Sequence, residues 1–440
     1  MVFRVGDRGA AVLLVVLSAL PMVLLAVLRL RYALPSGDEP HYLIISQAIL
    51  EHHDLDVQRV YDSAGYVAFH PVPIEPHTAP GPSGRPLPLH GIGGPVLWLV
   101  PFAVAGRAGV LAFMIAVSLA TVVNVFGLAR ALGVGLGTSF GVGLAFAVGT
   151  PILTYSSLSF VEPIGALVCV WALRLLHQEG LRRRDLLLVS AGLGVLPWVH
   201  GRFLLFLPLF LTFLLLRLRR DGAPRGQFVA AVAPAALLVL ALEAYVLAVW
   251  HTAAPAPNQL NAGAMPFQHD PLPALAGVTL DQQAGFLPQF PIFLFVLPGI
   301  LLTARRRWRR LHVHVAAAVL PYTLIVCSFS AWDGAWSPPA RFLAVVLPLL
   351  SGYVALAVQQ APHLLVQLAV AAAAGYACVR TVLAVFGPDH GFTAGAAERA
   401  ADLPAYLAWA AVAVAVAVGV TWSVTAGIRK GDRSRVEPAH

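Results

Sequence analysis

The chain has 440 residues, of which 58% are hydrophobic and 11% charged, with a mean hydropathy of +0.78. Soluble proteins carry about 25% charged residues, so a soluble globule is excluded, and this length holds on the order of a dozen helices of about 20 residues, each able to cross a hydrocarbon core of about 30 Å. The formal net charge of +8 would point to nucleic acid in a soluble protein, but here the arginines cluster at the ends of apolar runs, as the positive-inside bias requires, and no nucleic-acid partner is implied.

In chain order, the first apolar run, residues 10–28, follows Arg4 and Arg8, carries no small-residue cleavage site and ends at Arg29-Leu30-Arg31. It reads as an uncleaved first helix with a cytoplasmic N-terminus. Residues 32–89 are rich in Pro, His, Asp and Gly, with no run long enough to span. The following 91–105 stretch is apolar but too short to cross and is interrupted by Pro95 and Pro101. If it does not cross, Arg130, the Arg182-Arg183-Arg184 run and the arginines of 217–225, 305–310 and 429–435 all fall in the cytoplasm. The segment is therefore expected on the membrane surface, and residues 32–107 form one large extracytoplasmic loop.

With that choice an all-α, polytopic transmembrane protein of about twelve spans is predicted: 10–29, 108–130, 136–154, 161–178, 185–199, 203–217, 228–250, 287–303, 312–330, 342–358, 363–386 and 403–427. Both termini then lie in the cytoplasm. Three segments are expected: 1–220 with the first loop, 221–427 as further transmembrane helices, and 428–440 as a basic cytoplasmic tail. No internal repeat is visible. Cys169, Cys327 and Cys378 lie inside apolar runs without metal-ligand spacing, and no disulfide framework is implied. Lys430 is the only lysine, and the Ala, Val, Leu and Arg excess matches a GC-rich genome.

The polar residues gather on the outer side. Gly37-Asp38-Glu39-Pro40-His41-Tyr42 places two adjacent carboxylates at the start of a short amphipathic helix. Such acids either complement the helix dipole or perform acid/base chemistry. Glu162, before Pro163 at another helix start, carries the same alternatives, and its loop emerges on the same face. His200-Gly201-Arg202 fills a tight outer link, where an arginine either snorkels to headgroups or binds an anion. In Trp332-Asp333-Gly334-Ala335-Trp336, followed by Arg341, the tryptophans suit an interfacial belt or a sugar platform, and Arg341 is placed to grip a phosphate bidentately.

Other polar residues carry weaker signals. Glu243 is a lone intramembrane acid. His41, His70, His77, His90 and His251 could ligate a metal, but their spacings match no ligand pattern. His269-Asp270 and Asp281-Gln282-Gln283 read as solvated loop residues.

The N-terminal half resembles the GT-C superfamily of integral membrane glycosyltransferases, such as the protein O-mannosyltransferases and the aminoarabinose transferases of lipid A. The likeness lies in a first helix, a large outer loop opening on Asp38-Glu39, a juxtamembrane 91–106 segment and the Glu162-Pro163 pair of the second outer loop. It implies transfer of a monosaccharide from a polyprenyl-phosphate donor to an extracytoplasmic hydroxyl of a glycan, lipid or protein acceptor, in a bacterial cytoplasmic membrane. Asp38 or Glu39 would be the general base and Glu162 the second-loop acid, with His41, Tyr42, His200, Arg202, Trp332, Trp336 and Arg341 as substrate-binding candidates. Members often carry lysine where this chain has Arg202. A divalent metal is compatible but not required, since the phosphate leaving group does not demand one. The alternative is a lipid or small-molecule transporter, which would place its charges in broken helices near the midplane.

Overall fold

The computed structural model describes residues 5–254, 256–261, 263, 270–361, 364–392 and 402–433, with backbone only at 5, 83 and 425–433. His269, residue 363 of the eleventh expected span and residues 434–440 of the tail lie outside the described residues. The described residues are 76% helical and contain a single sheet of two three-residue strands, so they are nearly all-α.

All twelve apolar segments form helix, and among the described residues seven helices are long and apolar enough to cross a bilayer: Gly6–Tyr32, Leu99–Ala131, Gly201–Arg220, Arg225–Trp250, Arg306–Cys327, Leu364–Ala384 and Leu403–Val424. The other five segments are helical without reaching that length. Prolines explain the interruptions, because the ring removes an N–H and clashes with the preceding turn. Helix Leu136–Gly149 stops before Pro151, the 287–303 segment restarts at Pro291, and Pro348 sits in a 3-10 turn ahead of Ser351–Gln360. The 91–105 stretch forms Gly93–Leu97 and the first turns of Leu99–Ala131, whose helical backbone breaks at Ala105 and Gly106.

Helix Glu162–His177 occupies the centre. It is apolar nearly all round, as an interior helix must be, and packs against Leu99–Ala131, Arg183–Val199, Phe206–Arg220 and the 3-10 turn Phe342–Val345. Its 16 residues rise by about 24 Å at about 1.5 Å per residue, and its two ends mark the two ends of the bundle. Glu162 is joined by Arg341 to Asp38 of the first loop, whereas His177 lines a cavity with Arg217, Arg220, Arg307 and Arg310. Outward faces carry exposed aliphatics, for example Val229, Leu237 and Leu240 on Arg225–Trp250.

Candidate active site

The site begins with a close approach of two loops. Gly37 has φ +58°, and a Cβ there would overlap the Trp336 carbonyl oxygen, so only glycine lets the first loop lie against the 332–341 loop. Asp38 follows, at the N-cap of helix Glu39–His52, yet its side chain makes no capping bond. Its Oδ2 instead accepts from Arg341 Nη2. Arg341 Nε donates to Glu162 Oε1 at 3.1 Å, and Nη1 donates to the Gly334 carbonyl at 3.4 Å. Arg202 Nη2 lies 3.6 Å from the same Glu162 oxygen. A chain of alternating charge results, Asp38, Arg341, Glu162, Arg202, drawn from four separate parts of the sequence.

Aromatic faces fix both guanidinium planes: Arg341 lies over Phe160 at 4.3 Å and Arg202 over Phe342 at 3.9 Å. Glu162 is wholly buried and Arg341 is 5% exposed. Buried charges persist only when paired, and the pairing here is complete in number, two of each sign. Burial pushes the Asp38 carboxyl up, but the Arg341 charge and then His90 outweigh it and hold Asp38 well below the usual carboxylate range. Burial likewise opposes the Arg341 charge, and Asp38 and Glu162 outweigh it, holding the guanidinium protonated.

These groups border a cavity of about 610 Å³ lined by Asp38, His90, His200, Arg202 and Arg341. Hydrogen-bonding capacity remains beside it. Arg202 Nε and Nη2 and Glu162 Oε2 are buried without a hydrogen-bond partner, and unmatched buried polar atoms mark places where a ligand or water completes the network.

Glu39 faces the other way. Its Oε1 accepts from the Ser159 N–H at 2.8 Å and the Ser159 hydroxyl at 3.1 Å, and Oε2 accepts from the Ser36 N–H at 3.3 Å. Fully buried, it ties the first loop to the 155–162 junction. It also supplies negative charge near the buried Arg29 and Arg107.

Next to Asp38 stands a histidine pair. Strands Thr78–Pro80 and Pro86–Pro88 form a short antiparallel hairpin, and His77 and His90 flank it, so the turn brings them face to face. His77 Nδ1 and His90 Nε2 are 3.2 Å apart, and His90 Nδ1 is 3.9 Å from Asp38 Oδ2. One ligand atom from each of Asp38, His77 and His90 lies within 4.8 Å of the others. Two nitrogens bound at about 2.0–2.1 Å to one tetrahedral ion sit about 3.3 Å apart, so the pair fits a divalent cation. Burial lowers both imidazoles, His90 to about 4 with Asp38 opposing in part, which favours the neutral rings that a cation needs. His41 stacks on His77 at 3.6 Å and shares a 2.7 Å hydrogen bond with the Tyr61 hydroxyl, placing it in the layer behind.

Among the remaining candidates, Tyr42 is buried against His90 and Trp98, with its hydroxyl unpartnered. His200 accepts from the Arg202 N–H and contacts Gln259. The tryptophans lie apart from the cavity: Trp332 packs on Gly277 of helix Pro271–Leu280, and Trp336 is exposed. Glu243 borders a separate cavity of about 100 Å³ with His90 and Trp198. Reading the sequence missed Ser159, Phe160, Gln259 and Tyr155, whose hydroxyl donates to the Pro338 carbonyl at 2.5 Å; the Ser156-Ser157-Leu158-Ser159 run beside Glu162 was the one available signal.

No family model and no curated protein matches the chain. Two solved structures are similar to it: the oligosaccharyltransferase of Archaeoglobus fulgidus in the apo form, at 14% identity and a TM-score of 0.45 over 94% of this chain and 55% of that one, and the archaeal oligosaccharyltransferase AglB from Archaeoglobus fulgidus in complex with an inhibitory peptide and a dolichol-phosphate, at 14% identity and 0.45 over 92% and 56%. The chain spans little more than half the length of either.

Proposed function

We propose that this protein is a membrane glycosyltransferase of the GT-C type, moving a monosaccharide from a polyprenyl-phosphate donor to an acceptor hydroxyl on the extracytoplasmic side. The observation that carries this reading is the alternating chain Asp38, Arg341, Glu162, Arg202 at one end of the helix bundle, bordering a cavity with unspent guanidinium donors. Its position supports an enzyme over a transporter, whose charges belong in broken helices near the midplane.

In this mechanism Asp38 takes the acceptor proton as the acceptor oxygen attacks the anomeric carbon, and the bond from that carbon to the phosphate oxygen breaks with its electron pair leaving on phosphate. Arg202 meets the phosphate first, because Arg341 is already engaged by Asp38, Glu162 and the Gly334 carbonyl. As the donor phosphate draws on Arg341, Asp38 is released from its ion pair and becomes a stronger base. A base in position contributes about 10²- to 10⁴-fold, and fixed positive charge on the leaving group adds to it. Glu162 keeps the two arginines oriented, and Glu39 holds the first loop in place. The four charges sum to zero before a phosphate arrives. His77 and His90 would hold a divalent cation beside Asp38, where its charge would favour the departing phosphate.

The purified protein, incubated with a panel of radiolabelled polyprenyl-phosphate sugars and a mixture of envelope glycan, lipid and peptide acceptors, is expected to strip sugar from one donor class. Failure to use any donor, together with movement of an intact labelled lipid or solute across vesicles, would establish the transporter instead.

A further inference from the structure

The far end of the central helix carries a second concavity that the proposed chemistry does not use. A cavity of about 240 Å³ is lined by His177, Arg217, Arg220, Arg307, Trp308 and Arg310, with Leu132, Leu176 and Leu311 among its apolar walls. Four arginines converge on it, and one carboxylate answers them. Asp221 accepts from Arg217 Nε at 3.1 Å and Arg220 Nε at 3.2 Å. Glu179, close by in the chain, makes no ion pair among the described residues, and neither do Arg307 and Arg310.

Three further observations point to an anion. Helix Arg309–Cys327 begins at this cavity without a side-chain cap, and arginines crowd its N-terminus, where a cation opposes the helix dipole. The Trp308 indole N–H is buried with no acceptor. Arg217, itself buried, is fixed by the Leu175 and Gln178 carbonyls, so one cation of the wall is held in place while Arg220, Arg307 and Arg310 stand exposed around it.

The place in the fold identifies the source. The cavity lies where three membrane-length helices end or begin, Leu99–Ala131, Gly201–Arg220 and Arg306–Cys327, which is the boundary between hydrocarbon and water. Water occupies about 30 Å³ per molecule, so the space admits a phosphate with its ester arms. We propose that this cavity binds the phosphate of an anionic membrane lipid, the acyl chains running down the adjoining apolar helices.

The positive-inside bias alone would also gather arginines here, and the experiment separates the two explanations. Detergent-solubilised full-length protein is titrated with phosphatidylglycerol, or with phosphatidylcholine of the same chain length, and bound lipid is counted by native mass spectrometry. Two double variants are compared, R307Q/R310Q within the cavity and R305Q/R306Q just outside it, which remove the same charge. All four side chains are exposed, so both variants are expected to fold, and matching thermal midpoints without lipid confirm it. Phosphatidylglycerol is expected to bind in preference to phosphatidylcholine, with R307Q/R310Q losing affinity about tenfold or more and R305Q/R306Q much less, since each arginine near an anionic surface contributes about 1 kcal/mol. Equal loss in both variants, or equal binding of the two lipids, would overturn the site. Inorganic pyrophosphate in millimolar excess should leave the lipid bound; if it binds in place of the lipid, the ligand is a soluble phosphate and the lipid assignment fails.

Discussion

The two ends of helix Glu162–His177 handle charge in opposite ways. At Glu162 the ionised groups are buried or half-buried and matched two against two, each locked by hydrogen bonds or an aromatic face. At His177, Arg217 and Arg220 share the carboxylate of Asp221, and Arg307 and Arg310 stand exposed with no ion pair among the described residues. Burial is the cause of the difference, since an unmatched charge out of water costs several kcal/mol while a solvated one costs little. Matched burial fixes positions to a fraction of an ångström, which bond-making needs. Unmatched exposure fixes only a potential, which suffices to hold a partner that brings its own negative charge.

The sharpest way to break this contrast is Asp38→Asn. It removes the proposed base while preserving shape, and turnover is expected to fall about 10²- to 10⁴-fold with membrane insertion unchanged. Initial rates at saturating donor measure it, and full activity in Asp38→Asn would remove chemistry from the matched end. Arg341 comes next. Arg341→Ala leaves Asp38 without its guanidinium and the buried Glu162 with Arg202 alone, and losing one partner of a buried pair costs about 3–5 kcal/mol, so the thermal midpoint should drop along with activity. Arg341→Lys keeps the charge but cannot bridge both acids. Arg202→Lys is expected to raise the donor KM without moving the midpoint, because Arg202 is spent on fewer partners. Equal shifts in midpoint for the two lysine variants would show that they play the same structural part.

The sequence disclosed the members of the matched end better than their arrangement. Asp38, Glu39, Glu162, Arg202 and Arg341 all stand beside helix starts or tight links, where polar residues in an apolar chain are conspicuous. That Arg341 joins Asp38 across 303 residues was not legible, because no local pattern encodes which loops touch. His77 and His90 were visible only as scattered histidines, since a hairpin of proline-bounded strands closes the gap between them. The helices were legible from apolar run length alone. Which of them are long enough to cross a bilayer was blurred where Pro291 and Pro348 break the run into short turns.

Gly37→Ala tests how the matched end is assembled. A methyl group there meets the Trp336 carbonyl oxygen at a positive φ, and forcing such a backbone costs on the order of 1–3 kcal/mol. The loop should lift from its neighbour, loosening the contact between Asp38 and Arg341. A lower thermal midpoint with a proportionate fall in turnover is expected. Wild-type values for both would show that the loop packing does not set the catalytic geometry.

The smallest catalytic effect is expected at Glu39, the acid beside the proposed base, and this sharpens the comparison because both residues stand at the start of the same helix. Glu39 spends its carboxylate on Ser159 and Ser36 and sits by the buried Arg29 and Arg107, away from the alternating chain. Glu39→Gln preserves one acceptor for Ser159, turns an amide group toward the Ser36 N–H and removes the charge that offsets the two arginines. Leaving a buried donor unmatched costs about 1–3 kcal/mol, so the thermal midpoint should fall. Residual turnover at permissive temperature should exceed that of Asp38→Asn by a wide margin. Combining Glu39→Gln with Ser159→Ala should cost less than the sum of the two single changes, as residues sharing one hydrogen-bond network do. If instead Glu39→Gln abolishes turnover at an unchanged midpoint while Asp38→Asn stays active, the base is Glu39, and the pairing of Asp38 with Arg341 is the structural clamp.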